Sequence, residues 1–404
     1  MFKSIYVKNF KPFRTVTLPL SRINLLIGPN NAGKTSILEA IMTMKYIFSN
    51  EYGWRMEKVY SFFEDKKIPK FTPRIDFKRL VYAQDEKKEI KLGCAITKEE
   101  KEVSKIFGFS PSRGSYEIES QGKTFLVEGK MERSEKYEIK ENSFGEVKAG
   151  AGSFNSLFII NTGLSEIEEI GLNFRDAVGK IFFIHSYRGT HESLREIPSN
   201  LYKPEEATLK NAFDILYFIR ERAGYEYIVK TINDFLKKYG LDNIRALPAP
   251  QNHYEVVVKD AELNIDINIS QIGFGINQLL PMIILLSYYP DESLILIEQP
   301  ELHMHPRMQA EFASLLPELI EKKKHQILIE THSEHIIFSL LNLIAKKTLN
   351  ISDLNIFYVK KEGKEAKCEK LKITDIGTIE GGLPEFFEGD IDILVEWMKA
   401  ISKE

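Results

Sequence analysis

The clearest chemical signature in this 404-residue sequence is a glycine-rich segment that ends in a lysine and a hydroxyl residue. The segment is Gly28-Pro29-Asn30-Asn31-Ala32-Gly33-Lys34-Thr35, followed by Ser36, and it matches the pattern G-x-x-x-x-G-K-[ST]. Glycines let consecutive backbone N–H groups turn inward around an anion, and the start of a helix adds the positive end of its dipole. We therefore expect this phosphate loop to hold a nucleotide, with Lys34 at the β and γ oxygens and Thr35 as a ligand of Mg²⁺.

The segments on either side of the phosphate loop support this interpretation. Ile23–Ile27 is a β-branched and apolar run, broken only by Asn24, that is typical of a buried strand. After Lys34, apolar residues recur at helical spacing, which predicts a helix packed against a sheet. A glycine turn with a chance lysine would not require this strand–loop–helix context, and the sequence has no N-K-x-D motif that would indicate a GTPase.

Two more apolar strands are predicted to end in residues that suit a metal ion and a phosphate. Leu294-Ile295-Leu296-Ile297 leads into Glu298-Gln299-Pro300-Glu301, and a carboxylate at a strand end can hold Mg²⁺ opposite a phosphate loop. Glu298 is therefore the predicted metal ligand. Ile327-Leu328-Ile329-Glu330 leads into Thr331 and His332, and this histidine could donate a hydrogen bond to a γ-phosphate and sense its loss.

The histidines of this region leave a second interpretation open. Five of the eight lie here, namely His303, His305, His325, His332 and His335. The pairs His303-x-His305 and His332-x-x-His335 could form a transition-metal site, although such a site would compete with the predicted nucleotide site. His303 and His305 could instead stabilise the turn after Pro300.

A glycine-containing segment precedes the longest apolar run of the sequence. It reads Ser270-Gln271-Ile272-Gly273-Phe274-Gly275-Ile276-Asn277-Gln278, and the apolar run continues to Leu286. Glycines at a helix start favour an anion site. The alternative is a turn that needs glycine only for its backbone conformation.

Composition narrows the class of protein. Lys plus Arg number 55 against 58 Asp plus Glu, a net charge of −3, so no global positive field indicates a nucleic-acid binder. The local run Lys322-Lys323-Lys324-His325 is more typical of a solvated helix end than of a DNA-binding patch. Two distant cysteines exclude a disulfide framework, and no apolar run approaches the ~20 residues of a membrane span. We expect a cytoplasmic protein without a membrane partner.

The chain organisation predicts an α/β fold with a split core. Residues 1–50 and 255–404 contain the motifs and are predicted to form the core. Residues 51–254 are predicted to be an insertion, first mostly β because charged and apolar residues alternate, and then helical.

The order of these elements, together with Val7-Lys8-Asn9-Phe10-Lys11-Pro12-Phe13, resembles the SMC/RecF-type branch of ABC ATPases. The run Glu298-Gln299-Pro300-Glu301-Leu302-His303-Met304-His305-Pro306 and Gly273-Phe274-Gly275 are similar, more narrowly, to ATPases related to the OLD (overcoming lysogenization defect) family. OLD nucleases carry a Toprim domain after the ATPase, whereas 72 residues (404 − 332) follow His332 here. The tail Leu383-Pro384-Glu385-Phe386-Phe387-Glu388 is similar to the ending of stand-alone members, so the resemblance implies an ATPase without a Toprim domain.

This resemblance implies an ABC-type P-loop NTPase fold with a mixed sheet and roles for the remaining site residues. Ser270, Gly273, Phe274 and Gly275 would cap the γ-phosphate held by another subunit, so that ATP joins a homodimer or higher even oligomer. In the usual ABC pattern an Asp is followed by a Glu that polarises the attacking water, but here Glu298 is followed by Gln299. Either hydrolysis is slow or Glu301 supplies the carboxylate. The predicted catalytic group is Glu298, Gln299, Glu301 and His332.

The resulting hypothesis is an ATPase that uses ATP and Mg²⁺ to switch a partner effector, a nuclease-like protein, as in several phage-defence loci. One alternative is a RecF-like DNA-repair clamp that binds DNA directly. Another is a nucleotide-binding scaffold with little hydrolysis, which Gln299 would explain.

Overall fold

The computed structural model describes residues 1–49, 80–98, 101–110, 113–130, 137–143, 165–186, 192–220, 222 and 224–382. The chain divides into two compact units. The first contains Met1–Ile181 and Ile351–Glu404, and the second contains Phe182–Asn350. The boundaries of these units differ from those of the predicted core and insertion. The division into core and insertion remains a prediction. The tail from Leu383 lies outside the described residues.

The elements are named here in chain order. The strands are β1 (Phe2–Phe10), β2 (Phe13–Pro19), β3 (Ile23–Ile27), β4 (Ile90–Lys98), β5 (Lys101–Phe109), β6 (Arg113–Ser120), β7 (Lys123–Lys130), β8 (Tyr137–Asn142), β9 (Ile181–Ile184), β10 (Arg195–Glu196), β11 (Leu241–Ala249), β12 (His253–Asp260), β13 (Asp266–Asn268), β14 (Leu294–Glu298), β15 (Gln326–Glu330), β16 (Leu354–Glu362) and β17 (Glu365–Lys370). The α-helices are α1 (Lys34–Ser49), α2 (Ser165–Gly179), α3 (Ala212–Ile219), α4 (Glu226–Leu236), α5 (Phe274–Tyr288), α6 (Pro306–Lys323) and α7 (Glu334–Ala345).

An antiparallel sheet of seven strands dominates the first unit. Its order is β2-β1-β4-β5-β6-β7-β8, with β1 paired to β4 in the register Ile5 to Cys94 and Val7 to Leu92. The first strands of the chain therefore share one sheet with the strands of the predicted insertion. Both α1 and α2 contact this sheet, and they also contact each other.

A second group of strands in the first unit positions the phosphate loop. β3 pairs in parallel with β16, and β16 pairs antiparallel with β17. Every residue of β3 is buried, which explains why four of its five residues are apolar. The fifth, Asn24, is buried with its amide donating a 2.9 Å hydrogen bond to the carbonyl of Ser21. Neither β16 nor β17 was predicted from the sequence.

The second unit contains a small antiparallel sheet and a parallel strand pair. β12 lies between β10 and β11 and also pairs with β13. β14 and β15 are parallel and in register, so that Glu298 lies opposite Glu330 at the carboxyl ends of both strands. β9 lies beside β14, on the side away from β15.

The predicted mixed α/β class is confirmed by these sheets and helices. Among the described residues, no helix has the length and apolar content that crossing a lipid bilayer requires.

Candidate functional site

The phosphate loop joins β3 to α1, as the sequence predicts. Its residues, Gly28, Pro29, Asn30, Asn31, Ala32, Gly33, Lys34, Thr35 and Ser36, form one continuous connection. Gly28 has a φ of +135° and Gly33 a φ of +112°, conformations that side chains with a Cβ rarely adopt. The two glycines therefore shape the loop through its backbone.

Neighbouring chain segments pack so closely against both glycines that a side chain would not fit. A Cβ at position 28 would lie 2.1 Å from the carbonyl oxygen of Val359 in β16. A Cβ at position 33 would lie 2.8 Å from Cγ of Pro12, in the turn between β1 and β2. The carbonyl of Pro12 in turn accepts a 2.8 Å hydrogen bond from the N–H of Ala366 in β17. The loop is thus held from two sides by backbone packing.

Lys34 begins α1 and points into the loop. Its side chain is 3% exposed, and Nζ donates hydrogen bonds to the carbonyl oxygens of Gly28 (2.9 Å) and Pro29 (2.8 Å). A buried ammonium needs oxygen partners, and phosphate oxygens are stronger acceptors than carbonyls. The cradle made by the two glycines and the donor set of Lys34 and Thr35 therefore fit a nucleotide phosphate with its Mg²⁺.

In the second unit, Glu298 ends β14 with a buried carboxylate. Its Oε2 accepts a hydrogen bond from the N–H of Ser186 at 3.2 Å, and Nδ1 of His185 lies 3.9 Å from the same oxygen. Neither neighbour was among the residues predicted from the sequence. The signal was present, because Ile181–Ile184 is another short apolar run that ends in polar residues.

Gln299 follows Glu298 with a φ of +42°. Its N–H donates a 2.8 Å hydrogen bond to the carbonyl of Glu330, the last residue of β15. This bond continues the pairing of β14 with β15 for one more residue and fixes where the following turn begins.

Glu301 contacts the end of β15 with both carboxylate oxygens. Oε2 accepts a 2.8 Å hydrogen bond from the hydroxyl of Thr331, and Oε1 accepts a 2.7 Å bond from the N–H of His332. The structure therefore brings together Glu298, Gln299, Glu301 and His332 at the carboxyl ends of two neighbouring strands.

Two of the other histidines, His305 and His325, have separate structural roles. His305 is the N-cap of α6, and its Nδ1 accepts a hydrogen bond from the N–H of Arg307 at 3.3 Å. His325 is buried and its Nε2 lies 3.0 Å from the carbonyl of Leu286; burial lowers the pKa of His325 to about 4. Across the residues that the structure describes, no three His, Cys, Asp or Glu side chains group into a metal site.

The glycine segment lies at the start of α5, also in the second unit. Ser270 donates its hydroxyl to Oδ1 of Asn268 at 2.7 Å, and Gly273 is the N-cap of the helix, with open space where a Cβ would be. Gly275 differs, because a Cβ there would lie 2.5 Å from Sδ of Met308 in α6. Gly275 thus permits close helix packing within the chain, and Gly273 is the accessible glycine of the segment, which continues through Phe274 in the first turn of α5.

The basic run at the end of α6 is largely occupied by internal contacts. Nζ of Lys323 forms a 2.6 Å ion pair with Asp291, and the ammonium groups of Lys322 and Lys323 lie 4.4 and 5.4 Å from the centre of the Tyr227 ring. Lys324 is the C-cap of α6 with a φ of +52°. The run stabilises a helix end, as its sequence indicates.

Comparison with known proteins agrees with the motifs. A family model described as an AAA ATPase domain (AAA_15) matches residues 1–337. The OLD nuclease of Thermus scotoductus is 23% identical over 397 residues, which cover 91% of this chain and 66% of that protein. Endonuclease GajA of Bacillus cereus is 33% identical over 168 residues, which cover 33% of this chain and 24% of GajA. The chain thus spans less than two thirds of the length of these curated relatives.

Solved structures similar to this chain include SMC heads. The SMC head domain from Thermotoga maritima gives a TM-score of 0.46 at 12% identity and covers 92% of this chain and 99% of that chain. The SmcHead bound to the C-winged helix domain of ScpA gives a TM-score of 0.49 at 14% identity and covers 92% and 98%. The family match spans more than half of the sequence and includes the phosphate loop, Glu298 and His332. The chain therefore belongs to the AAA ATPase domain family and is similar to OLD-type proteins.

Proposed function

We propose that this protein is an ATP-dependent switch that binds ATP with Mg²⁺, hydrolyses it slowly, and assembles through composite sites to control a partner effector in the cytoplasm. The observation that supports ATP binding most directly is the phosphate loop. Its two glycines adopt conformations reserved for glycine, and its lysine is already turned inward. A strand–loop–helix segment with this lysine is the pattern that holds the β and γ phosphates of a nucleotide.

Each site residue has a role in this proposal. The backbone of the loop and Lys34 bind the β and γ phosphates, and Thr35 with Glu298 would hold Mg²⁺. The metal ion would offset negative charge on the phosphate oxygens. His332 would donate a hydrogen bond to the γ-phosphate and report its loss.

Slow hydrolysis follows from the residues beside the metal ligand. Gln299 can orient a water molecule but is a poor base. Glu301 has a carboxylate, but both of its oxygens accept hydrogen bonds from the end of β15. Neither residue is thus well placed as a strong general base, which favours a nucleotide state that persists long enough to act as a signal.

The Gln299→Glu variant tests this assignment. A carboxylate at position 299 should raise ATP turnover by about tenfold or more, because general-base catalysis typically contributes at least that much. Steady-state phosphate release would be compared for wild type, Gln299→Glu and the control Gln251→Glu, which alters an exposed glutamine in a turn. A wild type that already turns over at roughly tens per second and is indifferent to Gln299→Glu would show that the catalytic position is elsewhere.

Assembly and effector control complete the proposal. Gly273 stands at a helix N-terminus with open space above it, which is suitable for an anion presented by a second subunit. The names of the relatives, an OLD nuclease and an endonuclease, support a nuclease-like partner. The proposed defence role rests on the resemblance of the sequence motifs to the OLD family. The contacts of Lys322 and Lys323 give no support to direct DNA binding by this basic run.

A further inference from the structure

A continuous chain of hydrogen bonds in the second unit surrounds His332. It connects the turn after β14, the end of β15 and the first turns of α6 and α7. Its side chains belong to Glu301, Gln309, Thr331 and Ser333. Glu301 belongs to the predicted catalytic group, whereas no sequence motif assigns a role to Gln309, Thr331 or Ser333.

Thr331 lies at the centre of this chain. It is fully buried, and its hydroxyl donates to Oε2 of Glu301 at 2.8 Å while accepting from the N–H of Ser333 at 2.9 Å. The other oxygen of Glu301 accepts from the N–H of His332 at 2.7 Å. The backbone of His332 is therefore held directly and through both of its neighbours.

Ser333 extends the chain to α6. Its hydroxyl donates to Oε1 of Gln309 at 2.5 Å and accepts from the N–H of Ile336 at 3.1 Å, as the N-cap of α7. Nε2 of Gln309 donates to the carbonyl of Met304 at 2.9 Å. The turn that contains Glu301 is thus linked to the end of β15 in two ways. Glu301 bonds Thr331 and His332 directly, and Gln309 connects the carbonyl of Met304 to Ser333.

We propose that Glu301, Thr331, Ser333 and Gln309 form a positioning clamp that fixes His332 relative to the turn containing Glu298 and Gln299. In this proposal Glu301 is a positioning residue and not the general base of hydrolysis. The inference rests on the proposed ATPase function. Buried, mutually satisfied hydrogen bonds make a local arrangement unique, which is what a group that reports a phosphate requires.

The geometry argues against a base. A general base must present a lone pair to the attacking water. One lone pair on each Glu301 oxygen already accepts a hydrogen bond, from the backbone N–H of His332 and from the buried hydroxyl of Thr331, which orients the carboxylate toward the end of β15. The N–H of Gln299 adds a second link between the same two chain segments, through the carbonyl of Glu330.

The test compares Thr331→Val with Thr331→Ser. Valine keeps the shape but removes the hydroxyl, whereas serine keeps the hydroxyl. Thr331→Val should lower kcat for ATP hydrolysis by about tenfold while changing KM and the calorimetric Kd for Mg-ATP less than twofold, because the clamp orients a group that acts after binding. Thr331→Ser should restore kcat to within about twofold of wild type.

Glu301→Gln and Gln309→Ala extend the test to the two ends of the clamp and guard against a Thr331→Val variant that fails to fold. If Glu301 is a clamp residue, Glu301→Gln should lower kcat about as much as Thr331→Val does. If Glu301 is the general base, the same substitution should lower kcat on the order of 10²-fold or more. Unchanged kcat in Thr331→Val and Gln309→Ala, or a loss in Glu301→Gln far larger than in both, would overturn the clamp while leaving the ATPase intact. A wild type that binds Mg-ATP without turnover would overturn both the clamp and the proposed hydrolysis.

Discussion

Two buried lysines of the first unit show how different surroundings give the same residue different consequences. Lys34 is 3% exposed and its ammonium donates to two carbonyl oxygens of the phosphate loop. Lys105 is 4% exposed, on β5, and its ammonium faces the rings of Phe48, Tyr116 and Phe174 at 4.9, 5.0 and 5.6 Å. No hydrogen bond or ion pair of the Lys105 ammonium occurs within the described part of the chain.

The difference shows which buried ammonium group can exchange its protein partners for a bound ligand. The carbonyls around Lys34 accept hydrogen bonds from its ammonium, in a loop that we propose binds phosphate. Among the described residues, the Lys105 ammonium faces only aromatic rings, which attract a cation weakly and do not replace its hydration shell. Burial therefore lowers the pKa of Lys105 to about 8, and it also raises the pKa of the neighbouring Cys94 to about 12.

The largest expected effect is on ligand binding at Lys34. Replacing it with alanine removes a charged donor to the two terminal phosphates, and hydrogen bonds to charged groups contribute about 1.5–3 kcal/mol each. Lys34→Ala should weaken Mg-ATP binding at least a hundredfold in a calorimetric titration. Lys3→Ala, which removes an exposed lysine of β1, should bind like wild type. Unchanged affinity in Lys34→Ala would refute the phosphate-loop assignment.

At Lys105 we expect a smaller effect, and a favourable one, on the free energy of unfolding. Lys105→Met replaces an incompletely satisfied buried charge with an apolar side chain of similar length, so the free energy of unfolding should rise by about 2 kcal/mol at pH 7. The shift of its pKa from 10.5 to about 8 corresponds to about 3 kcal/mol at most. Chemical denaturation measures the change, and Lys101→Met on an exposed position of the same strand should leave stability nearly unchanged.

The pH dependence of stability isolates the Lys105 contribution further. Above pH 8 the folded chain releases this proton while the unfolded chain retains it, so the free energy of unfolding should rise with pH in the wild type. The raised pKa values of Cys94 and Cys368, both about 12, act in the opposite direction as the pH approaches and passes 9, because only the unfolded thiols ionise there. The slope of the wild type minus that of Lys105→Met between pH 8 and 9 therefore isolates the Lys105 contribution, because both proteins contain the two thiols. A wild-type slope there equal to that of Lys105→Met would contradict a lowered pKa.

Local sequence predicted the strand–loop–helix arrangement around the proposed phosphate loop, because the requirements of that loop lie within nine consecutive residues. The strand before it, the helix after it and the inward-facing Lys34 all follow from that short pattern. The role of Glu301 did not follow, because its partners Thr331 and His332 lie 30 and 31 residues further along the chain. The contact of Gly275 with Met308 was hidden for the same reason.

The buried position of Lys105 was predictable in part. Lys105, Phe107 and Phe109 alternate along β5 and share one buried face, so period-two alternation places the lysine inward. The charged residues around it favoured an exposed strand instead. What the strand sequence alone could not reveal is that Phe48 and Phe174, from two helices, would cover the ammonium.

Sedimentation velocity with and without Mg-ATP tests the central claim most directly, namely that nucleotide drives assembly through the segment around Gly273. The wild type should shift to a heavier, even-numbered assembly, since ATP adds contacts only in the joined state. Gly273→Arg should bind Mg-ATP but stay unshifted, because the added side chain occupies the open space at the N-terminus of α5. Gly179→Arg, at another uncrowded glycine, should shift like wild type. A wild type whose sedimentation ignores Mg-ATP, or a Gly273→Arg variant that assembles normally, would contradict the account.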